Sequence, residues 1–411
     1  MSELLEKIST DEESILEGSL LTKIERDPPK SFPSNGHLIR RRIALVGTFP
    51  PTNCGLATFT SNLLDAIAAS RPRWRAEVLR VVDGQESIPS PNVVGHWLPG
   101  DSGTLRMAIE TLNTYEAVLL QHEYGLYGDQ DGVQVLDLVD GLTVPLIAVL
   151  HTVLTSPSPG QRAILERIVR SAAVVVVQSA VALQRLHMVH GAENVIVIPH
   201  GAAQNFFGPV MLDIPKPAVL TWGLLSPGKG IEDGIAAISK MEAKPTAATY
   251  IVAGRTHPKE RAVNGERHRR RLKALARSLG VEGRVRFDDV YRSWDSLRAL
   301  IRSADVVLLP YESREQVSSG VLVEAVASGK PVVSTRFPHA EELLSNGAGI
   351  LVEQGDSRGM ADALDRILHE PGVADRMAAA ARRSARPLLW PKVGIAYANL
   401  VERVVNEPAA A

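Results

Sequence analysis

Apolar residues occur along this chain in short runs, separated by longer segments with helical spacing. The first six runs are IALVGTF (43–49), AEVLRVV (76–82), AVLLQ (117–121), PLIAVLH (145–151), AVVVVQS (173–179) and NVIVIPH (194–200). FTSNLLDAIAAS (59–70) and GQRAILERIVRSA (160–172) have helical spacing. Continuous apolar strands that alternate with helices are typical of a parallel sheet with helices on both faces.

The same alternation starts again in the second half of the chain. Further strands are predicted at 218–223, 248–254, 284–289, 305–310, 330–335 and 349–353. Helices are predicted at 231–241, 266–279, 293–303, 319–328 and 358–369. We therefore predict an α/β protein with two doubly wound halves that meet near 202–216 and face a central cleft. Ligands of such sheets bind beyond the carboxyl ends of the strands.

The two ends of the chain differ from this pattern. Residues 1–36 are polar, acidic and interrupted by prolines, which predicts a flexible extension. WPKVGIAYANLVERVV (390–405) predicts an amphipathic helix beyond the second sheet. The predicted domains are the extension 1–36, an N-terminal domain 37–205, a C-terminal domain 206–387 and a crossing helix with its tail, 388–411.

Composition narrows the class of protein. The 411 residues carry 45 Lys and Arg against 46 Asp and Glu, a net charge of −1, which argues against a general nucleic-acid binder. A single cysteine, Cys54, excludes an internal disulfide and any multi-cysteine metal site. The start of the chain lacks the layout of a secretory signal, and no apolar run is long enough to span a bilayer. We expect a cytoplasmic protein.

Glycine turns with nearby cations follow several predicted strands. The loop after the first strand leads through Gly55 into a helix, and a loop of this kind is either structural or a phosphate site. Gly223 begins a similar loop in the second half, where Lys229 offers a positive charge near a helix start. Arg255 follows the next glycine turn and is either solvated or in contact with a ligand. No strand leads into G-x-G-x-x-G, which disfavours a dehydrogenase.

Two histidines lie where neighbouring strands are predicted to end. His122 and His151 can each donate a hydrogen bond to a substrate at the sheet edge, or can be buried and satisfied by the backbone. Neither has the carboxylate or cysteine neighbours of a metal site, so no metal is proposed.

The segment LLPYESREQVSSGVLVEAVASGKPVVST (308–335) is the most informative. It places one acid, Glu324, in an apolar helix, where a carboxylate is costly unless it has a fixed partner. Two vicinal hydroxyls of a ribose are one such partner. The amides around Ser319 and Gly320 can hold a diphosphate beside it.

Five motifs in order resemble a known family. They are IPHG (198–201), G-x-L-x-P-x-K-G (223–230), V-A-G (252–254), S-G-V-L-V-E-A-V-A-S-G-K-P-V-V (319–333) and the final helix. Together they resemble family 4 of the retaining glycosyltransferases over roughly residues 40–405. The resemblance implies the GT-B architecture, with two Rossmann-like domains. It also implies transfer of a sugar, such as mannose or glucose, from a nucleotide-diphosphate sugar to an acceptor hydroxyl, without a metal.

The resemblance implies roles for individual residues. Gly55 approaches the donor diphosphate, His151 lies at the sugar near its 6-hydroxyl, and Lys229 binds the diphosphate. Glu324 binds the ribose, and His122 lies in a loop that faces the cleft. Ser319, Gly320 and Val321 supply loop amides to the phosphates. Gly223 and Arg255, from the glycine turns described above, are further candidate donor-binding residues.

Two positions depart from the family pattern. Leu224 stands where the family commonly has an arginine. The family also has two acids with seven residues between them, and the position of the first is Gln316 here. Gln316 keeps its hydrogen-bonding capacity without charge, and Glu315 can supply an acid if the loop shifts by one residue. These departures keep a second hypothesis open, a weakly active or inactive nucleotide-binding sensor; a sugar-nucleotide epimerase of the same architecture is a third.

The expected partners follow from the resemblance. They are a nucleotide-sugar donor and a sugar, polyol or lipid-linked acceptor, with no cofactor besides the donor and no nucleic acid. The basic run Arg267–Lys273 is either a solvated helix face or a contact for anionic lipid, which leaves peripheral association with the inner face of a membrane open.

Overall fold

Two parallel sheets, one in each half of the chain, carry the fold. The computed structural model describes residues 40–84, 89–208, 212–241 and 247–406. The predicted extension 1–36 lies outside the described residues. Residues 41–411 belong to one compact unit that holds both sheets.

The N-terminal sheet has seven strands. They are β1 (Arg42–Gly47), β2 (Arg75–Val81), β3 (Val93–Trp97), β4 (Ala117–His122), β5 (Leu146–Leu150), β6 (Val174–Val177) and β7 (Val195–Val197). Their spatial order is β3-β2-β1-β4-β5-β6-β7, and the paired strands are parallel. From β1 the chain continues to one side of the sheet, and from β4 it continues to the other side. The loops after these two neighbouring strands therefore diverge.

The C-terminal sheet has six strands, and its paired strands are also parallel. They are β8 (Ala218–Trp222), β9 (Thr249–Ala253), β10 (Val285–Asp288), β11 (Val306–Leu309), β12 (Val332–Thr335) and β13 (Gly349–Val352). The order β10-β9-β8-β11-β12-β13 is that of a Rossmann fold, with the switch point between β8 and β11.

Helices cover both faces of each sheet. In the first half they are α1 (Gly55–Ser70), α2 (Ser102–Leu112), α3 (Val135–Gly141), α4 (Pro159–Ser171) and α5 (Ala180–His190). In the second half they are α6 (Ile231–Lys240), α7 (Pro258–Asn264), α8 (Arg267–Ser278), α9 (Trp294–Ser303), α10 (Gly320–Ala327), α11 (Pro338–Leu344), α12 (Ser357–His369), α13 (Val373–Ser384) and α14 (Trp390–Asn406). Short 3-10 turns lie at Gln130–Gly132, Glu282–Arg284 and Arg386–Leu388.

The last helix returns to the first domain. Tyr397 and Val401 of α14 are buried in the apolar core that α1 forms on one face of the N-terminal sheet. Gly394 permits this approach, because a Cβ there would come within 2.5 Å of the Ala66 carbonyl oxygen. An ion pair adds to this contact: Nε of Arg71, just after α1, lies 2.9 Å from a carboxylate oxygen of Glu402 on α14.

The predicted strands are present, with one addition. Strand β3 was not predicted, because VVGHW is short, half-buried and at the sheet edge, so it lacks a continuous apolar run. Within the described residues, no helix is both long and apolar enough to cross a membrane.

Candidate functional site

The switch point of the C-terminal sheet brings Lys229 and Tyr311 together. Lys229 lies in the loop after β8, Tyr311 follows β11, and the ammonium Nζ is 4.3 Å from the centre of the phenol ring. Gly230 makes the approach possible. Its φ is +61°, and a Cβ there would lie 1.7 Å from the Pro310 carbonyl oxygen. Sequence reasoning identified Lys229 but not the aromatic platform beneath it.

The charge of Lys229 has no carboxylate partner among the residues that the structure describes. Burial lowers the pKa of Lys229 from its ordinary 10.5. The ring of Tyr311 compensates in part, since an aromatic face attracts a cation. A desolvated cation without a counter-ion favours binding of an anion at this point.

The start of α10 is the second part of the site. The Ser319 hydroxyl caps the helix by accepting from the Leu322 amide at 3.3 Å, and the Ser319 amide donates to Nδ1 of His339 at 2.9 Å. Both polar groups of Ser319 are thus used within the protein. The amides of Gly320 and Val321 bind no acceptor in the described part of the chain and are free for a phosphate.

Gly223 connects these two parts. Its φ is +121°, and a Cβ there would lie 3.9 Å from Cγ2 of Val321, so the loop after β8 and the start of α10 are neighbours. Arg255 lies in the loop after β9. Its side chain is exposed, and its carbonyl accepts from the Leu225 amide at 2.8 Å.

Glu324 lies one turn further into α10 and is buried. Burial raises the pKa of its carboxyl to about 8, although the guanidinium of Arg298 and a hydrogen bond from the Ala203 amide act in the opposite direction. Its Oε2 atom is buried without a hydrogen-bond partner in the described residues. A buried, unpaired carboxyl oxygen is costly, and a donor hydroxyl from a ligand relieves that cost.

Gly55 faces open space at the start of α1. A Cβ placed there meets no atom within 4 Å, and the preceding Cys54 caps the helix with its thiol, 3.3 Å from the Ala57 amide nitrogen. The helix start is therefore accessible.

The loop that precedes α10 crosses to the first domain. Val317 is buried in the core of the N-terminal domain, and its carbonyl accepts from the Ser179 hydroxyl at 2.7 Å. The carboxylate of Glu315 lies 2.9 Å from a guanidinium nitrogen of Arg185 and also accepts from the Thr155 amide. Glu315 is therefore held in a contact between the domains, and the register shift that would make it the missing acid does not occur.

Gln316 lies in the same loop and is half-buried. Its amide nitrogen donates to the Ser318 carbonyl at 3.0 Å, which leaves its side-chain oxygen as an acceptor. The side chain carries no charge.

His151 has partners at both ring nitrogens. Its Nε2 lies 2.9 Å from Oε1 of Gln121, and its Nδ1 lies 3.2 Å from Nε2 of Gln178. Burial is the main reason that the pKa of His151 falls to about 3, and the neighbouring His200 and His122 lower it further. A sugar hydroxyl can bind this neutral ring only by replacing one of its partners. Sequence reasoning found His151 but neither glutamine.

His122 does not lie in a loop facing the cleft, contrary to expectation. It is the last residue of β4 and is wholly buried, with its ring 5.1 Å from that of Tyr124. Because side chains alternate along a strand, the preceding residue, Gln121, points to the His151 side instead. Burial lowers the pKa of His122 to about 4.

Thr152 and Glu123 form a further polar pair in the loops after β5 and β4. The Thr152 hydroxyl donates to the Glu123 carboxylate at 2.7 Å. Between the two domains, the Lys259 ammonium donates to the Gly125 carbonyl at 3.2 Å.

No group of three or more His, Cys, Asp or Glu residues suited to a metal ion occurs in the part of the chain that the structure describes.

Comparison with known families accounts for the C-terminal part of this geometry. Residues 216–370 match the model of the family described as glycosyl transferases group 1. The similarity to this family thus lies in the C-terminal domain of the chain. The matched segment holds Lys229, Gln316, Glu324 and the start of α10. Assignment to family 4 stays a prediction.

Two curated relatives extend the match. The lipopolysaccharide core biosynthesis glycosyltransferase LpsE of Rhizobium meliloti (strain 1021) is 30% identical over 171 residues, which is 41% of this chain and 44% of LpsE. A D-inositol 3-phosphate glycosyltransferase of Nocardioides sp. (strain ATCC BAA-499 / JS614) is 27% identical over 280 residues, 60% of this chain and 59% of that protein. The chain thus aligns with roughly half the length of these relatives.

A solved structure matches the whole fold. Anabaena Alr3699/HepE, crystallised with UDP and glucose, superposes with a TM-score of 0.71 at 21% identity, covering 88% of this chain and 100% of the other. This likeness confirms the predicted GT-B architecture, with two Rossmann-like domains.

Proposed function

We propose that this protein is a glycosyltransferase that moves a sugar from a nucleotide-diphosphate sugar to an acceptor hydroxyl. The observation that carries the proposal is Lys229, a desolvated cation without a carboxylate partner in the described chain, at the switch point of the domain that matches the group 1 family. The loop that holds Lys229 begins at Gly223, next to Val321, and the amides of Gly320 and Val321 bind no acceptor in the described chain. This arrangement suits a diphosphate.

The same groups suit the chemistry of transfer. As the bond between the sugar C1 and the phosphate oxygen breaks, negative charge grows on the diphosphate. Lys229 and the helix amides stabilise that charge, and they are held in place before the reaction begins. The acceptor oxygen forms the new bond to C1, and its proton passes to the leaving phosphate. We propose that this occurs on one face of the sugar, with retention and without a protein nucleophile.

Glu324 and Gln316 divide recognition of the donor between them. The unpartnered Oε2 of Glu324 suits the ribose hydroxyls. The free side-chain oxygen of Gln316 suits a hydroxyl of the transferred sugar. Because Gln316 carries no charge, we propose that stabilisation of the sugar cation is weaker here than with a carboxylate at this position.

The donor and acceptor classes are proposed from the relatives. HepE was crystallised with UDP and glucose, so UDP-hexoses are the first donors to test. The names of the two curated relatives suggest an inositol phosphate and a lipopolysaccharide core as acceptor classes. The exposed arginines of α8 support contact with an anionic headgroup, as a lipid-linked acceptor requires.

The test is a mass-spectrometric assay of the purified protein against a panel of nucleotide sugars, with and without each acceptor class. We expect free nucleoside diphosphate and a glycosylated acceptor, and NMR of the product gives the anomeric configuration. A sensor would bind a nucleotide sugar and leave it intact. An epimerase would change the sugar without needing an acceptor. Either result would contradict the proposal.

A further inference from the structure

A chain of hydrogen bonds joins the two domains beside the proposed donor site. The Ser318 hydroxyl, in the loop before α10, donates to Oε1 of Gln178. The amide nitrogen of Gln178 lies 3.2 Å from Nδ1 of His151, whose Nε2 lies 2.9 Å from Oε1 of Gln121. Ser318 belongs to the C-terminal domain, and the other three residues belong to the N-terminal domain.

Each bond in this chain fixes the direction of the next. Oε1 of Gln178 accepts from the serine, so its NH₂ group must face the histidine. Nδ1 of His151 is then an acceptor, and the ring proton is on Nε2, where it donates to Gln121. The chain thus selects one of the two neutral tautomers of His151.

The sheet places these side chains in one row. Gln121 is near the end of β4, His151 directly follows β5, and Gln178 directly follows β6. These three strands are neighbours, and Ile147 pairs with Val174 and Val149 with Val176. Gln121 and Gln178 are buried, so water does not compete for their amides.

We propose that Gln178 is a positioning residue for sugar transfer: its amide fixes the tautomer of His151 and aligns that ring with the loop that leads to the donor-binding helix. The alignment depends on Ser318, so it exists only while the two domains are together. The catalytic part of this proposal rests on the proposed function, whereas the tautomer does not.

The tautomer is read by NMR of the protein labelled with ¹⁵N in its histidines, with the His151 signals assigned by their loss in His151→Asn. In the wild type we expect His151 to be protonated on Nε2 alone. In Gln178→Glu the new carboxylate can only accept a hydrogen bond, which favours a proton on Nδ1, so we expect both ring nitrogens to be protonated at neutral pH. Gln184→Glu makes the same change at an exposed position on α5 and should leave the His151 signals unchanged.

The kinetic arm uses the transfer assay. We expect Gln178→Glu to lower kcat about tenfold with less than a twofold change in the donor KM, because the donor contacts are elsewhere. Ser318→Ala removes only the hydroxyl from the other side of the cleft and should also lower kcat. The double variant Gln178→Leu/Ser318→Ala should be no slower than Gln178→Leu alone, because both changes break the same chain.

An unchanged His151 tautomer in Gln178→Glu would overturn the proposal, as would a kcat equal to that of Gln184→Glu. If Gln178→Glu does not fold, a Ser318→Ala variant with wild-type kcat and an unaltered His151 spectrum overturns it instead. If the wild type transfers no sugar, the proposed function fails, and the NMR result still decides whether Gln178 fixes His151.

Discussion

Lys229 and Glu324 are both buried, and neither forms an ion pair with the other in the described structure. Lys229 lies on the ring of Tyr311, and Glu324 lies near Arg298 with one oxygen unpaired in the described structure. Each group is costly in the empty protein, and a nucleoside diphosphate relieves both costs with its phosphates and its ribose. At the scale of residues, ligand binding is therefore favoured by polar groups that have no partner within the protein.

Lys229→Ala should weaken binding of nucleoside diphosphate by about 1.5–3 kcal/mol, the range for a hydrogen bond to a charged group. Isothermal titration calorimetry with the diphosphate that the wild type binds measures the effect. Lys392→Ala, which removes an exposed lysine from α14, serves as the control. Equal affinities for the two variants would remove Lys229 from the site.

Gln316→Ala should lower the affinity for the intact nucleotide sugar more than the affinity for free nucleoside diphosphate, because only the nucleotide sugar carries the sugar. Parallel titrations of both ligands decide this. An equal loss for both ligands would show that Gln316 does not contact the sugar. Glu324→Gln should instead lower the affinity for both ligands by a similar factor, because both ligands contain the ribose.

Glu324 also makes the stability of the empty protein depend on pH. Burial raises the pKa of its carboxyl from 4.5 to about 8, so the folded chain holds this proton more tightly than the unfolded chain does. The stability contributed by the protonated group is complete below pH 4.5 and is lost as the pH rises through 8. Glu324→Gln lacks this proton, so we expect the wild type to lose stability relative to the variant as the pH rises.

Urea unfolding of both proteins at a pH below and a pH above this range measures the difference. Glu193→Gln, a change at an exposed acid, should show no such trend. A constant difference between the wild type and Glu324→Gln at all pH values would contradict the assignment.

At the scale of elements, the loop between β11 and α10 has two tasks. Its later part supplies the start of α10, whereas Val317 fills a place in the core of the other domain and Glu315 pairs with Arg185. One short segment therefore links donor binding to the contact between the domains. Displacement of the loop should disturb both.

Val317→Asp should separate the domains, because it places a charge in an apolar core. Small-angle X-ray scattering should show a larger radius of gyration than in the wild type. Val263→Asp makes the same change at an exposed valine on α7 and should leave the radius unchanged. An unchanged radius in a folded Val317→Asp variant would mean that the loop does not hold the domains together.

The sequence predicted individual elements better than it predicted contacts between them. The strands that a continuous apolar run marks are present, and Lys229 and Glu324 stand out as charges in apolar or glycine-rich surroundings. Gln121 and Gln178 had no such signal. Their role depends on which strands are neighbours and on which face each side chain lies, and these are properties of the folded sheets.

At the scale of the whole molecule, each of the two sheets has one switch point, between β1 and β4 in the first domain and between β8 and β11 in the second. The charges proposed to hold the diphosphate are a lysine and backbone amides, and the described residues hold no group of acids or histidines that could bind a metal. Because Lys229 and the helix amides are proposed to stabilise the leaving group, we predict that transfer does not depend on a divalent cation.

Activity should persist in excess EDTA. The assay is the release of nucleoside diphosphate before and after chelation, with added Mg²⁺ as the comparison. A complete loss that Mn²⁺ restores would contradict a leaving group stabilised by protein groups alone.

The return of α14 to the first domain has a consequence for synthesis of the chain. One face of the N-terminal sheet is covered by α1 and by a helix that ends at Asn406, and Tyr397 and Val401 complete its core. Domains usually fold in the order in which the ribosome makes them. Here the domain that begins first acquires its last apolar layer only after the second domain has been translated, so a nascent chain stopped before Trp390 carries an uncovered hydrophobic face.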